Sequence, residues 1–373
     1  MKRCLSLLLA LCLFCAIPAP AWAAGSTEPE KPRLRAVSMR LSSDFGMVFT
    51  LEVPAGTTEA GVYVGDEKIS GKATANAGEY TASFFHIRAW EMTVVYNVTP
   101  YAKTANGEIL GDTRDLSVLD YATGMMASPA CTPALRELLV SMLNYGAAAQ
   151  ALVGFNTARP ANMNLSSADR WRFDTERPFP TELTRIGEAT TAAAELTGAT
   201  LVLSEKVYLK VFISVAGQEK LRCNGGTGLP ECAAYSFAEE AAFLARHLRL
   251  EVATDPSFAD ARSFPLEKCG LSADTVTAGS RNDGYFVKVP YGLFPTEYGQ
   301  TFYFRVCAED GTGYTFPYSA ELYAGRTLLT LAKDTESNGG KQTAANRRTE
   351  RVARALIAFG DAVRAYETQT ESR

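Results

Sequence analysis

An internal repeat is the feature that most constrains the fold of this chain. Residues 41–53 (LSSDFGMVFTLEV) align without gaps on residues 203–215 (LSEKVYLKVFISV). Apolar and polar residues alternate in both runs, which is the pattern of a strand with one buried face. A second matched pair follows in the same order, because residues 93–98 resemble residues 301–306. Matches that keep their order over such a distance predict a duplicated module.

Each copy continues with a turn signal and a similar exit segment. Asn106-Gly107 and Asp310-Gly311 are dipeptides that favour tight hairpins, because both residues tolerate positive φ. The exit segments are residues 117–122 (SVLDYA) and residues 319–324 (SAELYA). Short strands bounded by such turns predict an antiparallel sandwich.

Both copies then change to helical spacing. Apolar residues recur every three or four positions from Leu135 to Leu152 and from Val352 to Tyr366. Tyr145-Gly146 matches Phe359-Gly360, and a glycine inside a helix predicts close approach to the β-layer. The expected fold is therefore mainly β with helices (α+β), built from two tandem immunoglobulin-like antiparallel β-sandwich modules that are each closed by a C-terminal α-helix.

The same patterns predict the domain organisation. The second copy is longer, and its extra residues include Ser236-Phe237-Ala238-Glu239, a capping box that predicts a helix to about Val252. Residues 156–190 are poor in apolar side chains, which indicates a linker or an extended strap. The expected segments are a signal peptide (1–23), an N-terminal linker (24–32), module 1 (33–158), a connector (159–190) and module 2 (191–373) with an insertion near 216–282.

The N-terminus predicts export. Basic residues precede an apolar run at 4–17, and Ala21-Trp22-Ala23 fits a signal-peptidase site. The alternative is an uncleaved anchor, but the run is shorter than the ~20 residues that span a bilayer as a helix. The mature chain is therefore expected to be secreted and associated with the cell surface, without a transmembrane segment.

Composition argues against several classes of function. The formal net charge of −4 offers no general attraction for phosphate backbones, so nucleic acid is not an expected partner. Two histidines in the whole chain leave little from which to build a zinc site or a Ser-His-Asp triad. We therefore predict no metal and no cofactor.

The cysteines outside the signal peptide are Cys131, Cys223, Cys232, Cys269 and Cys307. Their odd number leaves at least one thiol unpaired within the chain. Cys223 and Cys232 flank a glycine-rich loop and are the disulfide candidate; two free thiols are the alternative, because spacing does not fix pairing geometry.

One motif resembles a known group of proteins. The helix segment LVSMLNYGAAAQ at 139–150, preceded by SVLDYA at 117–122, resembles an uncharacterised family of secreted surface proteins of Gram-positive gut bacteria. In that family immunoglobulin-like β-modules are followed by an "LVxxMLNYGAAAQ" helix. The resemblance implies an extracellular, non-enzymatic role. The second copy departs from the motif at Ala358-Phe359-Gly360-Asp361-Ala362.

Aromatic and basic side chains are the candidates for ligand contact. Aromatic rings can stack on sugars or peptides, although aromatics at strand spacing are more typical of a core. Arginines on the last helix suit an anionic polymer, although a solvated helix face gives the same pattern. The aromatic candidates are Trp171, Trp90, Tyr291, Phe294 and Tyr298, and the basic ones are Arg347, Arg351 and Arg354.

The predicted function is that of a non-catalytic binding or scaffolding protein of the cell surface, not an enzyme. Its expected partner is a glycan, a cell-wall polymer or another surface protein. The alternatives are a ligand-free structural spacer and a glycan-active hydrolase. The hydrolase would need a carboxylate pair, for which Glu239-Glu240 and Asp255 with Asp260 are the candidates.

Overall fold

The computed structural model describes residues 30–41, 44–173, 184–185, 194–203, 206–215, 245–246, 248–270, 285–290, 292–298, 301–308, 318–321 and 343–371. Within them the chain is a mixed α and β protein with antiparallel sheets. The strands are β1 (Arg33–Leu41), β2 (Phe45–Glu52), β3 (Glu59–Val64), β4 (Glu67–Ser70), β5 (Lys72–Ala73), β6 (Glu79–Ile87), β7 (Tyr96–Thr104), β8 (Gly107–Leu110), β9 (Arg114–Leu116), β10 (Thr184–Arg185), β11 (Ala194–Leu203), β12 (Val207–Val215), β13 (Leu248–Ala253), β14 (Arg262–Pro265), β15 (Tyr285–Lys288), β16 (Thr301–Ala308) and β17 (Tyr318–Glu321). The helices are α1 (Val118–Ala127), α2 (Pro133–Val153) and α3 (Ala344–Glu371).

Cα packing divides the chain into two compact units. The first unit comprises Met1–Phe173 with Ala362–Arg373, and the second comprises Asp174–Asp361.

The first unit contains two sheets with a shared apolar interior. One sheet has the order β1-β2-β6-β5, and the other has the order β4-β3-β7-β8 with β9 also paired to β7. Alternation along β2 buries Met47, Phe49 and Leu51, which are at most 1% exposed. The predicted hairpin is confirmed, but its two loop residues are Ala105 and Asn106, because Thr104 pairs with Gly107, which begins β8 with φ 114°.

Two helices follow the sheets of the first unit. Ser117 caps α1, since its side chain accepts a hydrogen bond from the Asp120 amide, so SVLDYA begins a helix. Thr132 caps α2 in the same way, Pro133 occupies its first turn, and Gly154 ends it in the left-handed region. The helix predicted from the spacing of Leu135 to Leu152 is confirmed.

The second unit also contains two sheets. One has the order β11-β12-β15, and the other has the order β10-β17-β16-β13-β14. The β11–β12 register shifts between Leu196 and Gly198, and the β1–β2 register shifts between Leu34 and Ala36. These positions correspond to each other in the sequence repeat.

Two sequence predictions are wrong in this unit. Residues 248–253 form β13, whereas the capping box at Ser236 predicted a helix to about Val252. The strand forms because Leu248, Leu250 and Val252 alternate with Arg249 and Glu251, and the three apolar residues are buried. Residues 319–321 lie in β17, so they do not correspond to the helix start at Ser117.

Candidate functional site

A strap at the end of the first unit is held against α2 by buried polar side chains. The strap, defined here as residues 159–173, is a series of turns in which Ala161 and Asn162 are at most 1% exposed. It occupies the beginning of the segment in which the sequence predicted a linker or an extended strap. Asn144 and Gln150 of α2 are equally buried, and both belong to the LNYGAAAQ motif. Buried amides are retained where hydrogen bonds satisfy them, so their partners define the site.

Asn144 holds three strap residues at once. Its Oδ1 accepts hydrogen bonds from Asn162 Nδ2 at 2.9 Å and from the Trp171 amide at 3.0 Å. Its Nδ2 donates to the Asp169 carbonyl at 2.8 Å. One helix side chain therefore fixes both the middle and the end of the strap.

Gln150 holds the beginning of the strap. Its Oε1 accepts from the Ala161 amide at 2.7 Å, and its Nε2 donates to the Arg159 carbonyl at 3.3 Å. The same Nε2 donates to Thr93 Oγ1 at 3.0 Å, which ties the strap and α2 to the loop before β7.

Asp169 adds a charged anchor. Arg136 of α2 donates to its Oδ2 at 2.7 Å, and the Ser166 hydroxyl donates to the same oxygen at 2.7 Å. The hydrogen bond from Arg136, followed by that from Ser166, lowers the pKa of Asp169 despite its burial. Arg172 lies 3.9 Å from Oδ1 and also pairs with Glu137.

These bonds hold Trp171 in an uncommon backbone conformation. Its φ is 58°, in the left-handed region, which costs a bulky residue about 1–2 kcal/mol. Its ring is partly exposed and meets Phe173 edge to face at 6.2 Å between ring centroids. Strain of this kind persists only where surrounding contacts impose it, and it is concentrated at functional sites.

The glycine of the motif lets α2 approach a capped turn. Residues 89–91 form a 3-10 turn in which the Arg88 amide donates to Glu91 Oε2 at 2.9 Å. A Cβ on Gly146 would overlap Met92 Sδ and lie 3.1 Å from the Ala89 carbonyl oxygen. The glycine therefore permits a close approach, as the sequence predicted, but the approach is to this turn and to Ala161 of the strap rather than to a strand.

A similar arrangement occurs in the second unit. Residues 295–297 form a 3-10 turn in which the Phe294 amide donates to Glu297 Oε2 at 2.8 Å. A Cβ on Gly360 would lie 2.8 Å from Tyr298 Cβ and 2.9 Å from the Pro295 carbonyl oxygen. When Tyr145-Gly146 is aligned with Phe359-Gly360, Ala358 and Arg364 take the positions of Asn144 and Gln150. The amides that hold the strap thus have no counterpart on α3.

The other aromatic candidates differ in how far they are exposed to solvent. Trp90 is half-buried in the 3-10 turn at 89–91, with the Arg88 guanidinium 5.7 Å from its ring centroid. Phe294 is 47% exposed. Tyr298 is only 3% exposed and its ring packs 6.3 Å from that of Phe359, so its prediction as a surface contact is wrong. Tyr291 lies outside the described residues.

The basic candidates lie on α3. Arg347 and Arg351 are exposed, whereas Arg354 is mostly buried and donates to Glu350 Oε1 at 2.9 Å across one helical turn. The disulfide candidate, Cys223 with Cys232, lies outside the described residues. The cysteines within them, Cys131, Cys269 and Cys307, are not joined in disulfides.

The described carboxylate pair has a structural task. Asp260 accepts hydrogen bonds from the amides of Thr254 and Asp255 at 3.0 and 3.1 Å, and Asp255 accepts one from the Ser257 amide at 2.7 Å. Burial opposes ionisation of Asp260, but the bonds from Thr254 and the Asp255 amide lower its pKa overall. A general acid needs a raised pKa, so Asp260 does not fit that role. Glu239 and Glu240 lie outside the described residues.

The chain has no match among known protein families or curated proteins. Within the described ranges, no three His, Cys, Asp or Glu side chains group in a way that would hold a metal ion. None of the helices described is both long and apolar enough to cross a membrane.

Sequence reasoning singled out Trp171 but missed the residues that fix it. The candidates do not include Asn144, Gln150 or Asp169, because the residues that join α2 to the strap and to Thr93 lie 9 to 57 positions apart in the chain. A signal is present in α2: two amide side chains, Asn144 and Gln150, interrupt a run at 138–150 whose only other polar side chains are the hydroxyl groups of Ser141 and Tyr145. Such residues are seldom buried without partners, so they predict a segment that packs on the helix.

Proposed function

We propose that this protein is a secreted, non-catalytic binding protein of the cell surface that holds a carbohydrate polymer at the surface around Trp171. The single observation that carries the proposal is the bond between the Trp171 amide and Asn144, which holds a partly exposed tryptophan in a strained conformation. The N-terminal signal pattern at 1–23 supports export.

We further propose that the chain consists of two immunoglobulin-like modules that each end in a helix. The strand pairings support this, because β1-β2-β6 and β4-β3-β7 have counterparts in β11-β12-β15 and β14-β13-β16. The corresponding register shifts at Leu34/Ala36 and Leu196/Gly198 support it as well. So do the two glutamate-capped turns beneath Gly146 and Gly360.

The chemistry around Trp171 suits a sugar. An indole ring stacks on the apolar face of a pyranose, and its N–H can meet a hydroxyl group. Arg172 follows Trp171 in the strap and Arg136 pairs with Asp169, two residues before it. About half of each arginine side chain is exposed, and guanidinium groups donate to hydroxyl or carboxylate oxygens. Since α3 lacks the amides that hold the strap, we assign this surface to the first unit.

A non-catalytic role fits the carboxylates that the structure describes. Asp255 and Asp260 accept bonds from their own loop, and Asp169 is engaged by Arg136 and Ser166. The hydrolase alternative therefore receives no support from these side chains.

The test is a binding array of bacterial wall polysaccharides and other glycans with residues 24–373. We expect Trp171→Ala to weaken retention by at least about tenfold, since burying and stacking an aromatic ring is worth about 1.5–3 kcal/mol. Trp90→Ala is the matched tryptophan control and should retain binding, as should Arg347→Gln with Arg351→Gln. Near-UV circular dichroism verifies that each variant is folded.

Three outcomes would contradict the proposal. Retention unchanged in Trp171→Ala would remove the strap from the binding surface. Loss of retention only in the α3 double variant would move the contact to the basic helix. Absence of any glycan retained by the wild-type chain would favour the ligand-free spacer.

A further inference from the structure

A cleft between the two sheets of the first unit is separate from the strap site. It lies between β1, the edge strand of one sheet, and β9, which pairs with β7 in the other. Its volume is about 100 Å³. The residues that line it include Leu34, Arg35, Ala36, Met47, Arg114 and Leu116.

The divergence of the two edges opens the cleft. At one end they touch, because a Cβ on Gly111 would overlap the carbonyl oxygen of Pro32, and Lys31 pairs with Asp112 at 2.6 Å. Beyond this contact the β1–β2 register shifts between Leu34 and Ala36, so Arg35 is the extra residue of a bulge. Bulges redirect side chains and are frequent beside binding sites.

The floor of the cleft is apolar and its rim is cationic. Leu34 and Met47 are at most 5% exposed, and Ala36, Val37 and Leu116 are half-buried. A cavity of about 150 Å³ holds a benzene ring in another protein, so about 100 Å³ suits one branched aliphatic side chain.

The two arginines of the rim differ in their pairing. Arg35 is paired with Glu79 at 2.7 Å and lies 3.6 Å from Glu52. Arg114 is exposed at the opposite edge, and the ion pairs found among the described residues do not include it. Its guanidinium group is therefore available to a carboxylate in the cleft.

We propose that this cleft binds an extended acidic peptide of a partner protein, with one aliphatic side chain inserted between β1 and β9 and a neighbouring carboxylate on Arg114. The edge of β1 supports the extended conformation, because a strand can be added to a sheet edge by main-chain hydrogen bonds. The charge of Arg114 selects acidic residues, and the cleft volume of about 100 Å³ selects Val, Ile or Leu over aromatic residues.

The test is selection of a phage-displayed random octapeptide library on residues 24–373. Synthetic copies of the enriched peptides are then titrated by fluorescence anisotropy. We expect the enriched sequences to place Asp or Glu beside Val, Ile or Leu. Arg114→Glu should weaken their binding by at least about tenfold, and Arg114→Lys should retain most of it. Ala36→Phe, which fills the cleft, should abolish binding.

Two controls separate this site from the others. Lys103→Glu makes the same change of charge on β7 outside the cleft lining and should leave the affinity unchanged. Trp171→Ala should also leave it unchanged, so the outcome is independent of the carbohydrate proposal. The inference is overturned if the wild-type chain enriches no peptides, or if the enriched peptides bind Arg114→Glu and Ala36→Phe as tightly as wild type.

Discussion

The amide nitrogen of Trp171 lies 3.0 Å from Oδ1 of Asn144, and this contact joins a strained surface residue to a fully buried helix side chain. The same Oδ1 accepts a hydrogen bond from Asn162 Nδ2, and Asn144 Nδ2 donates one to the Asp169 carbonyl. The Asn-Tyr-Gly motif of α2 therefore has two structural tasks. Asn144 fixes the strap, and Gly146 lets the helix approach the turn at 89–91.

Replacing Asn144 should loosen the strap before it unfolds the unit. In Asn144→Ala the buried Asn162 side-chain amide and the Asp169 carbonyl lose this partner, and buried groups left unsatisfied cost about 1–3 kcal/mol each. We expect the free energy of unfolding to fall by about 2–4 kcal/mol. Urea titration measures it, and tryptophan fluorescence should report a more solvated Trp171.

The matched control is Asn164→Ala in the same strap. Its amide is exposed and reaches Thr123 only at 3.5 Å, so its loss should change stability by less than about 0.5 kcal/mol. Equal effects of the two substitutions would show that Asn144 is not the anchor.

Asp169 should make the strap sensitive to acid. Arg136 and Ser166 lower its pKa in the folded state below the unfolded value of about 3.9. The stability that it contributes is thus fully present above that value and is lost as the pH falls through the lower folded pKa. Between pH 5 and pH 3, wild type should lose more stability than Asp169→Asn, which has no proton to bind.

Urea midpoints at several pH values in this range measure that difference. At neutral pH, Asp169→Asn should itself cost about 1–3 kcal/mol, because it weakens a buried charged hydrogen bond. Asp112→Asn is the control, since Asp112 is 80% exposed and its pair with Lys31 should contribute little. An Asp169→Asn variant with the wild-type pH dependence would contradict the assignment.

Local periodicity predicted much of the backbone but not the site. The alternation along β2 and the apolar stripe of α2 each depend on a single face of one element, so the sequence was enough to identify them. The capping box at Ser236 predicted a helix that continues to about Val252, and this prediction is wrong for residues 248–253, which form β13. The alternation of Leu248, Leu250 and Val252 was the better guide.

The contacts around the strap could not be predicted from neighbouring residues. Gln150 and Thr93 are 57 positions apart, and the bond between them exists only once the helix packs beside the loop before β7. Tyr298 shows the converse. Its aromatic ring suggested a ligand contact, but the position beneath Gly360 places it in the core.

The cysteines should differ in reactivity. Burial raises the pKa of Cys269 to about 12, and burial together with Glu251 raises that of Cys307 to about 11, so little thiolate forms at pH 8. Cys131 is partly exposed. Iodoacetamide at pH 8 should therefore label Cys131 much faster than Cys269 or Cys307, as peptide mass spectrometry would resolve. Labelling in 8 M urea is the control, because all three should then react at similar rates.

The two helix glycines should respond differently to alanine. In Gly146→Ala the new methyl group would meet Met92 Sδ, which lies near the end of a buried but flexible side chain, while the Ala89 carbonyl oxygen and Ala161 Cβ would lie 3.1 and 3.2 Å away. The helix propensity of alanine, worth up to about 1 kcal/mol, should offset much of the remaining strain. In Gly360→Ala the methyl group would meet Tyr298 Cβ at 2.8 Å, which is fixed to the backbone.

We therefore expect Gly360→Ala to destabilise the second unit by about 1–3 kcal/mol and Gly146→Ala to change stability by less than about 1 kcal/mol. Urea unfolding, followed by far-UV circular dichroism, measures both. Gly146→Val tests this reasoning. Its β-branched side chain would also crowd the Ala89 carbonyl, and a shift of Met92 alone would not remove that clash, so valine should destabilise the protein more than alanine. A Gly360→Ala variant as stable as wild type would show that α3 does not depend on close approach to the turn at 295–297.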